Sequence, residues 1–255
     1  MKKQVQDFEL FIRPAIFSPY SGVLAAGSTR LGGVSKPPFA SLNLGLSTDD
    51  DPLAIAENRR RFFTALGIEE TCTASAYQVH GDAVLHVEGP GRWEGYDALV
   101  TARTEVYLCV TVADCTPILL WDSRQGVVAA VHAGWRGTSL GILSKTLEEM
   151  HDGYGSNPSD CIAYIGTCID ACDYEVGADV ADNFEPEFKR WDEGRQRFLL
   201  DLKKANKAQL LQAGVLEAHI EVSPYSTVKN NDRFFSYRKE AGQTGRMLYV
   251  IGIKP

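Results

Sequence analysis

Two histidines and one cysteine are the first candidates for chemistry, because imidazole and thiolate groups bind transition metals. His80, Cys115 and His132 each lie in a short segment with glycine or proline, beside an apolar run that predicts a strand. Two imidazoles and one thiolate leave one position open in a four-coordinate site, which is typical of catalytic zinc. The separations along the chain, from 80 to 115 and from 115 to 132, match no short metal-binding motif. The residue types therefore carry this prediction.

The same residues support two other interpretations. Cys115 is a candidate nucleophile with His132 as its base, and Asp114 or Asn43 would then orient the imidazole. Alternatively, Cys115 is a small buried apolar residue and the two histidines are hydrogen-bonded groups of the core. At this point the metal site, the cysteine hydrolase and the purely structural interpretation all stay open.

Arginines beside glycines indicate anion binding. Arg30 is followed by glycines at 32 and 33, and Arg136 lies between Gly134 and Gly137. The second pattern opens a predicted helix, and a helix N-terminus favours phosphate. Many Arg-Gly segments are ordinary turns, so each pattern alone is a weak indication.

The elements that must position these residues are a mixture of strands and helices. Asp51 followed by Pro52 is typical of a helix start, and Gly67 is a suitable helix end. Residues 117–121 and 127–131 are apolar almost throughout, which predicts strands covered on both faces. The lack of a strict β-α-β rhythm favours an α/β or α+β fold, with a mixed central sheet layered by helices.

Two further helices are predicted from apolar residues at helical spacing. The first follows residue 134 and would bury one face, formed by Leu140, Leu143, Leu147 and Met150. The second would bury residues that recur every four positions, which are Val176, Val180, Phe184 and Phe188, and Pro186 is a candidate break in this helix.

Composition and charge narrow the class of protein. The 255 residues are 44% hydrophobic and 23% charged, which is ordinary for a globular chain. Lys and Arg number 26 against 33 Asp and Glu, and the net charge of −7 argues against a nucleic-acid partner. No Gly/Pro/Ser-rich linker divides the chain, so we expect one domain over residues 1–255.

The N-terminal segment and the cysteines bear on location. Lys2 and Lys3 are not followed by an apolar region, so no signal peptide is expected. The apolar runs are too short to cross a bilayer, so no membrane partner is expected. Without a secretory signal, the six cysteines are expected to be free thiols. These observations predict a cytoplasmic protein.

Eight segments, taken together, closely resemble the YfiH family, also called laccase-domain or polyphenol-oxidase-type proteins. They include Gln-Val-His-Gly around His80, Ala-Asp-Cys-Thr-Pro around Cys115 and Val-His-Ala-Gly-Trp-Arg-Gly around His132. The segments occur in one order along most of the chain, at residues 29–35, 41–45, 78–81, 97–101, 113–120, 131–137, 174–177 and 234–238.

The resemblance implies a fold, a metal and a reaction. The fold is a YfiH-type α/β domain related to bacterial toxin cysteine hydrolases. The implied cofactor is zinc, held by His80, Cys115 and His132. The implied reactions are phosphorolysis of adenosine, inosine, guanosine or methylthioadenosine, and deamination of adenosine. The partners would then be a purine nucleoside and inorganic phosphate.

The resemblance also implies a substrate pocket and leaves other functions open. The implied pocket residues are Arg30, Asn43, Arg59 and Arg136. One alternative is a Cys-His hydrolase or amidase that edits peptidoglycan precursors, and another is a purine-binding module without catalysis.

The name laccase can be tested against the histidine count. A multicopper oxidase needs a trinuclear cluster with paired His-x-His motifs, whereas this chain has five histidines and none are adjacent or separated by one residue. The count excludes multicopper chemistry and leaves a single-metal oxidase as the least favoured alternative. A thiolate with two imidazoles favours zinc or copper over magnesium, and we expect zinc ahead of copper.

Overall fold

The structure is a computed structural model that describes residues 10–255. The segment in which no signal peptide is expected lies almost entirely outside the described residues. The described strands are β1 Phe11–Ile12, β2 Val23–Ser28, β3 Thr73–Tyr77, β4 Val84–His86, β5 Gly91–Glu94, β6 Ala98–Thr101, β7 Tyr107–Val112, β8 Thr116–Asp122, β9 Val127–Ala133, β10 Cys161–Ile165, β11 Glu175–Val176, β12 Lys189–Asp192, β13 Arg197–Leu200, β14 Ile220–Val222 and β15 Met247–Ile253.

The helices are fewer than the strands. They are α1 Pro52–Leu66, α2 Trp135–Ser139, α3 Ile142–Tyr154, α4 Ala178–Ala181 and α5 Leu202–Gln212. Within residues 10–255, none of the helices combines the length and the apolar character needed to cross a membrane.

Two mixed six-stranded sheets dominate the described part of the chain. One has the order β1-β2-β15-β7-β3-β5 and the other has the order β14-β10-β8-β9-β6-β4. A small third sheet has the order β11-β13-β12. In the large sheets, β3 runs parallel to β5 and β7, β4 to β6, and β10 to β14, while the other pairs are antiparallel.

The main core lies between the two large sheets. Val110 and Tyr249 of the first sheet pack in one buried cluster with Leu119 and Tyr164 of the second. The outer face of the first sheet is covered by α1, and the outer face of the second sheet is covered by α3 and α5. This arrangement of helix, sheet, sheet and helix explains why β8 and β9 are buried at every position.

The predicted first helix is confirmed together with both of its ends. Asp51 Oδ1 accepts a hydrogen bond from Leu53 N at 3.0 Å, which caps the first turn. Gly67 ends the helix with φ 75°, a left-handed conformation that favours glycine. Phe62 and Phe63 lie on the buried face, against the first sheet.

The mixed α/β class is confirmed, but the expected single central sheet is two sheets. Alternating residues of β8 explain the difference, because they belong to two separate cores. Ile118 packs under α3 and α5, whereas Leu119 packs against the first sheet. A strand buried on both faces needs a layer on each side, and the sequence does not indicate whether that layer is a helix or a sheet.

Two predicted helices differ from the structure. The helix after residue 134 is divided into α2 and α3 at Gly141, whose φ of 75° breaks the helical backbone. Leu140 therefore falls at the break and is 52% exposed, and the prediction that it belongs to the buried face is wrong. Leu143 of α3 is fully buried as predicted.

The second predicted helix, from Val176 to Phe188, is wrong. Val176 instead pairs with Phe198 of β13, and in this region the short α4 is α-helical and Pro186–Phe188 is a single 3₁₀ turn. Pro186 disfavours helical backbone at Glu185, which is extended with ψ 152°. The apolar residues are shared with a small separate core beside the third sheet, rather than with one helix face.

Candidate metal centre and substrate cavity

Three chain segments meet at one end of the two sheets and bring the candidate metal ligands together. His80 follows β3, Cys115 lies between β7 and β8, and His132 is the penultimate residue of β9. Their possible ligand atoms all lie within 4.8 Å of one another. His132 is buried, Cys115 is half-buried and His80 is exposed, so the cluster is open on one side.

The β8–β9 hairpin determines how Cys115 meets His132. In its antiparallel register Thr116 pairs with Ala133 and Pro117 pairs with His132. Cys115, which directly precedes Thr116, is therefore beside the end of β9. This proximity depends on strand register and is not visible in the spacing of the two residues along the chain.

The backbone at Asp114 turns the chain so that Cys115 enters the cluster. Asp114 has φ 84°, a left-handed conformation that is uncommon outside glycine. Its carboxylate accepts a hydrogen bond from Thr227 Oγ1 at 2.5 Å and one from Arg238 N at 2.6 Å. These bonds stabilise the turn against its unfavourable backbone conformation.

The segment that carries His80 is held by Gln78. Gln78 Nε2 donates to Thr111 O at 2.8 Å, and Gln78 Oε1 accepts from Thr111 N at 2.8 Å. A side-chain amide thus continues the pairing of β3 with β7 beyond the last strand residue. His80 itself has φ 60° and lies just after this connection.

Asp97 is a residue of the site to which the sequence analysis assigned no role. Its Oδ1 lies 2.7 Å from His132 Nδ1, and its side chain is fully buried. A carboxylate partner of this kind orients a metal-binding imidazole and raises its basicity. The available signals were an acidic residue directly before the apolar strand β6 and its place at the start of the segment 97–101.

The neighbouring imidazoles of His132 and His80 favour a thiolate at Cys115. Burial alone would raise the pKa of this thiol, but the imidazoles of His132 and His80 lower it to about 6. Burial would likewise lower the pKa of His132, but the Cys115 thiolate and the Asp97 carboxylate raise it. The thiolate is the form of cysteine that binds metal and attacks electrophiles.

The donor set and the space around it fit a metal ion. Sulfur and imidazole nitrogen are the ligands that zinc prefers, and three protein ligands leave a position for substrate. Gly134 leaves the cluster uncrowded, because a Cβ there would lie 3.1 Å from His80 Cδ2 and 3.2 Å from Cys115 Sγ. Among the described residues, this is the cluster of three or more histidine, cysteine or acidic side chains with suitable geometry.

A cavity of about 650 Å³ opens onto the cluster. Its volume is within the usual range for small-molecule sites. Among residues 10–255, its wall includes five arginines, which are Arg59, Arg92, Arg136, Arg238 and Arg246. It also includes aromatic side chains, which are Tyr77, Trp135, Tyr174 and Tyr237. An anion and a flat ring system are the ligands that such a wall can bind.

Two of the four predicted pocket residues line this cavity. Arg136 is exposed, its guanidinium stacks 4.7 Å from the Trp135 ring, and it has no hydrogen bond to another described side chain. Arg59 is buried, pairs with Glu70 and donates to Leu44 O at 3.0 Å. Arg136 is therefore the more available of the two for a ligand.

Arg30 and Asn43 do not line the cavity. Arg30 donates to Ala40 O and Asn231 O, pairs with Glu240 at 2.9 Å and stacks on Phe235. These contacts use its guanidinium within the protein.

Asn43 hydrogen-bonds to the backbone of two residues that line the cavity. Its Oδ1 accepts from Gly45 N at 3.1 Å and from Arg246 N at 2.9 Å. Neither the Asn43 nor the Asp114 side chain hydrogen-bonds to His132, so the prediction that one of them orients this imidazole is wrong. Asp97 occupies that place, because it directly precedes β6, the strand that pairs with β9.

Comparisons with known proteins identify the family of the chain. A family model described as multi-copper polyphenol oxidoreductase laccase matches residues 24–254. The chain belongs to this family. Although the family description names copper, the cluster found in this laccase-domain chain contains two imidazoles and one thiolate.

Relatives in this family carry a different functional name. A protein of Deinococcus radiodurans named purine nucleoside phosphorylase is 44% identical over 244 residues, covering 94% of this chain and 93% of the relative. Purine nucleoside phosphorylase YlmD of Geobacillus stearothermophilus is 38% identical over 250 residues, covering 92% of this chain and 91% of that protein.

Solved structures confirm the YfiH-type fold. The crystal structure of YlmD from Geobacillus stearothermophilus matches with a TM-score of 0.90 and 36% identity, covering 97% of this chain and 100% of the other. The Bacillus licheniformis hypothetical protein YfiH matches with a TM-score of 0.91 and 31% identity, covering 96% and 97% of the two chains.

Proposed function

We propose that this chain is a zinc-dependent purine nucleoside phosphorylase that acts on adenosine, inosine, guanosine and methylthioadenosine and also deaminates adenosine. The observation that carries the proposal is the position of His80, Cys115 and His132 on the wall of an arginine-lined cavity. The names of the relatives support the reaction class.

The cavity offers separate groups for the two substrates. Arg136 and Arg238 are exposed guanidinium groups on its wall, and guanidinium pairs with two phosphate oxygens at once. Their guanidinium groups stack on the rings of Trp135 and Tyr174. Tyr77 and Tyr237 are exposed aromatic side chains of the same wall. The proposal places phosphate at the two arginines and the purine against the aromatic side chains.

In phosphorolysis a phosphate oxygen bonds to C1′ of the ribose while the bond from C1′ to the purine nitrogen breaks. The purine leaves with the electron pair and takes up a proton, through an oxocarbenium-like transition state. Arg136 and Arg238 would hold the attacking phosphate in line, which removes orientational entropy from the barrier. When bound, zinc would supply Lewis-acid chemistry and, for deamination, an activated water.

The test is turnover by purified protein with and without phosphate and zinc. We expect purine release from the four nucleosides to require phosphate, and we expect Cys115→Ala to abolish both phosphorolysis and deamination. Arg136→Met should raise the KM for phosphate at least about tenfold, since it removes a charged contact. Arg103→Met is the matched control, because Arg103 is exposed, pairs with Glu88 and lies outside the cavity wall.

Full turnover by the Cys115→Ala variant would overturn the zinc-dependent proposal. Purine binding without any product would instead support a binding module that lacks catalysis.

A second candidate function is a cysteine hydrolase or amidase, as in the editing of peptidoglycan precursors. The favouring observation is the order Cys115, His132, Asp97, in which a thiolate, an imidazole and a carboxylate are within contact range. This is the arrangement of an activated nucleophile, its base and the group that orients the base. A chelator should then leave activity intact, whereas in the zinc enzyme it removes activity and added zinc restores it.

A further inference from the structure

We propose that Asp97 is the positioning residue of the metal centre, and that its one carboxylate orients both His132 and the turn that carries His80. The inference rests on the metal site of the proposed function. It goes beyond that function by assigning the geometry of two ligands to a residue that binds neither metal nor substrate.

The hydrogen bonds of the Asp97 carboxylate all go to the two ligand segments. Oδ1 is 2.7 Å from His132 Nδ1 and accepts from His80 N at 3.0 Å. Oδ2 accepts from Gly81 N at 2.8 Å and from Val79 N at 3.2 Å. The backbone carbonyl of Asp97 also accepts from His132 N at 2.7 Å. One buried residue therefore contacts both histidine segments.

The contact to His132 determines which ring nitrogen remains available. An ionised carboxylate can only accept a hydrogen bond, so it requires the proton of the imidazole to be on Nδ1. Nε2 is then left with its lone pair free for a metal. Without Asp97 the ring can place its proton on either nitrogen and can rotate about its side-chain bonds, and both changes remove a ligand from the cluster.

The contacts to residues 79–81 act on the backbone of His80. Its φ of 60° lies in the left-handed region, where a residue with a Cβ is unfavourable by the order of 1 kcal/mol. Three successive N–H groups converge on the Asp97 carboxylate, which is a known way to bind an anion with main-chain groups. These bonds offset the backbone strain and keep the His80 side chain beside Cys115.

If Asp97 only stabilised the fold, its replacement would lower the melting temperature without a specific loss of zinc affinity. Asp122 provides the matched control. Asp122 is fully buried, and its Oδ1 accepts from Arg124 N at 2.9 Å and from Gln125 N at 3.2 Å. It lies at the far end of β8 from Cys115. Asp122→Asn thus removes a buried carboxylate of the same sheet without touching the ligand segments.

The experiment measures zinc affinity in metal-free protein by competition with a chromophoric chelator, for wild type, Asp97→Asn and Asp122→Asn. We expect Asp97→Asn to weaken zinc binding by about 10- to 100-fold. An asparagine must turn an NH₂ group either toward His132 Nδ1 or toward the N–H groups of the turn. Asp122→Asn should bind zinc as the wild type does, even where its melting temperature is lower.

A second measurement needs no variant, so it remains decisive if Asp97→Asn does not fold. Nitrogen-15 NMR of the zinc-loaded wild type should show His132 with a proton on Nδ1 and the metal on Nε2. Metal at Nδ1, or an Asp97→Asn variant with wild-type zinc affinity, overturns the inference.

These outcomes are independent of turnover. A wild-type chain that binds zinc as expected but does not cleave nucleosides contradicts the proposed function and leaves the role of Asp97 supported. A wild-type chain that binds no zinc overturns both the metal centre and the inference.

Discussion

One added methyl group at Gly134 provides a sharp test of the candidate metal centre. The backbone there has φ −72° and ψ 175°, which alanine adopts without strain. The new Cβ would lie 3.1 Å from His80 Cδ2 and 3.2 Å from Cys115 Sγ, so these side chains must shift by a few tenths of an ångström. The substitution therefore acts on the ligands and not on the backbone.

The size of the effect follows from the tolerance of metal coordination. Ligand distances in a metal site vary by only about 0.2 Å, so a shift of this size disturbs coordination. We expect Gly134→Ala to lower zinc affinity by about 10- to 100-fold, the range found when the support of a ligand is disturbed.

Stability should change much less than zinc affinity. Alanine is a poorer cap than glycine for the short helix α2, which costs about 1 kcal/mol at most. Alanine also reduces the entropy of the unfolded chain, which offsets about 0.4–1 kcal/mol. The melting temperature of the metal-free protein should therefore stay within about 4 °C of wild type.

The assay is chelator competition for zinc together with thermal unfolding of the metal-free protein. Gly89→Ala is the matched control, because nothing lies within 4 Å of a Cβ at that position. If Gly134→Ala and Gly89→Ala bind zinc equally well, the reasoning about the crowded cluster is refuted. If the free energy of unfolding of the metal-free Gly134→Ala protein fell by several kcal/mol, Gly134 would instead be required for packing.

The remaining predictions concern stability and are measured by urea unfolding. Burial raises the pKa of Glu240, but hydrogen bonds and a nearby guanidinium lower it overall. The ionised Glu240 side chain therefore stabilises the folded protein above about pH 4.3, the pKa in the unfolded chain, and this stabilisation is lost as pH falls through the folded pKa. Glu240→Gln should thus be less stable than wild type near pH 7, and a difference that does not shrink in acid would contradict this. Tyr249→Phe should cost about 1–3 kcal/mol because Thr167 N, which donates to Tyr249 Oη at 3.0 Å, loses its partner in the core; a cost under about 0.5 kcal/mol would show that the bond is replaced. Leu143→Ala should cost about 2–5 kcal/mol and Leu140→Ala less than about 0.5 kcal/mol, since only Leu143 is buried, and equal costs would disprove the break between the two helices.

Local signals in the sequence were sufficient for several elements. Asp51 and Gly67 delimit α1 because a cap and a left-handed end act within one helical turn. The two apolar runs that became β8 and β9 were recognisable because burial on both faces leaves no polar position. In residues 176–188 the helical periodicity of the apolar residues competed with the proline at 186, and the periodicity was misleading.

The composition of the candidate metal centre was also present in the sequence. The residue types of His80, Cys115 and His132 specify the chemistry that they can perform, and the order of motifs indicated the family. The histidine count argued against a multicopper centre from the sequence alone. These conclusions depend on the identity of side chains and not on their positions in space.

Only the tertiary structure decided how these groups are arranged. The register of β8 with β9 places Cys115 beside His132, and the pairing of β6 with β9 brings Asp97 to the imidazole. The same packing engages the Arg30 guanidinium in hydrogen bonds within the protein. It also brings the arginines of the cavity wall together from distant segments of the chain. Strand pairing and sheet packing join residues far apart along the chain, so their result is decided by the whole fold and leaves no signal in the local sequence.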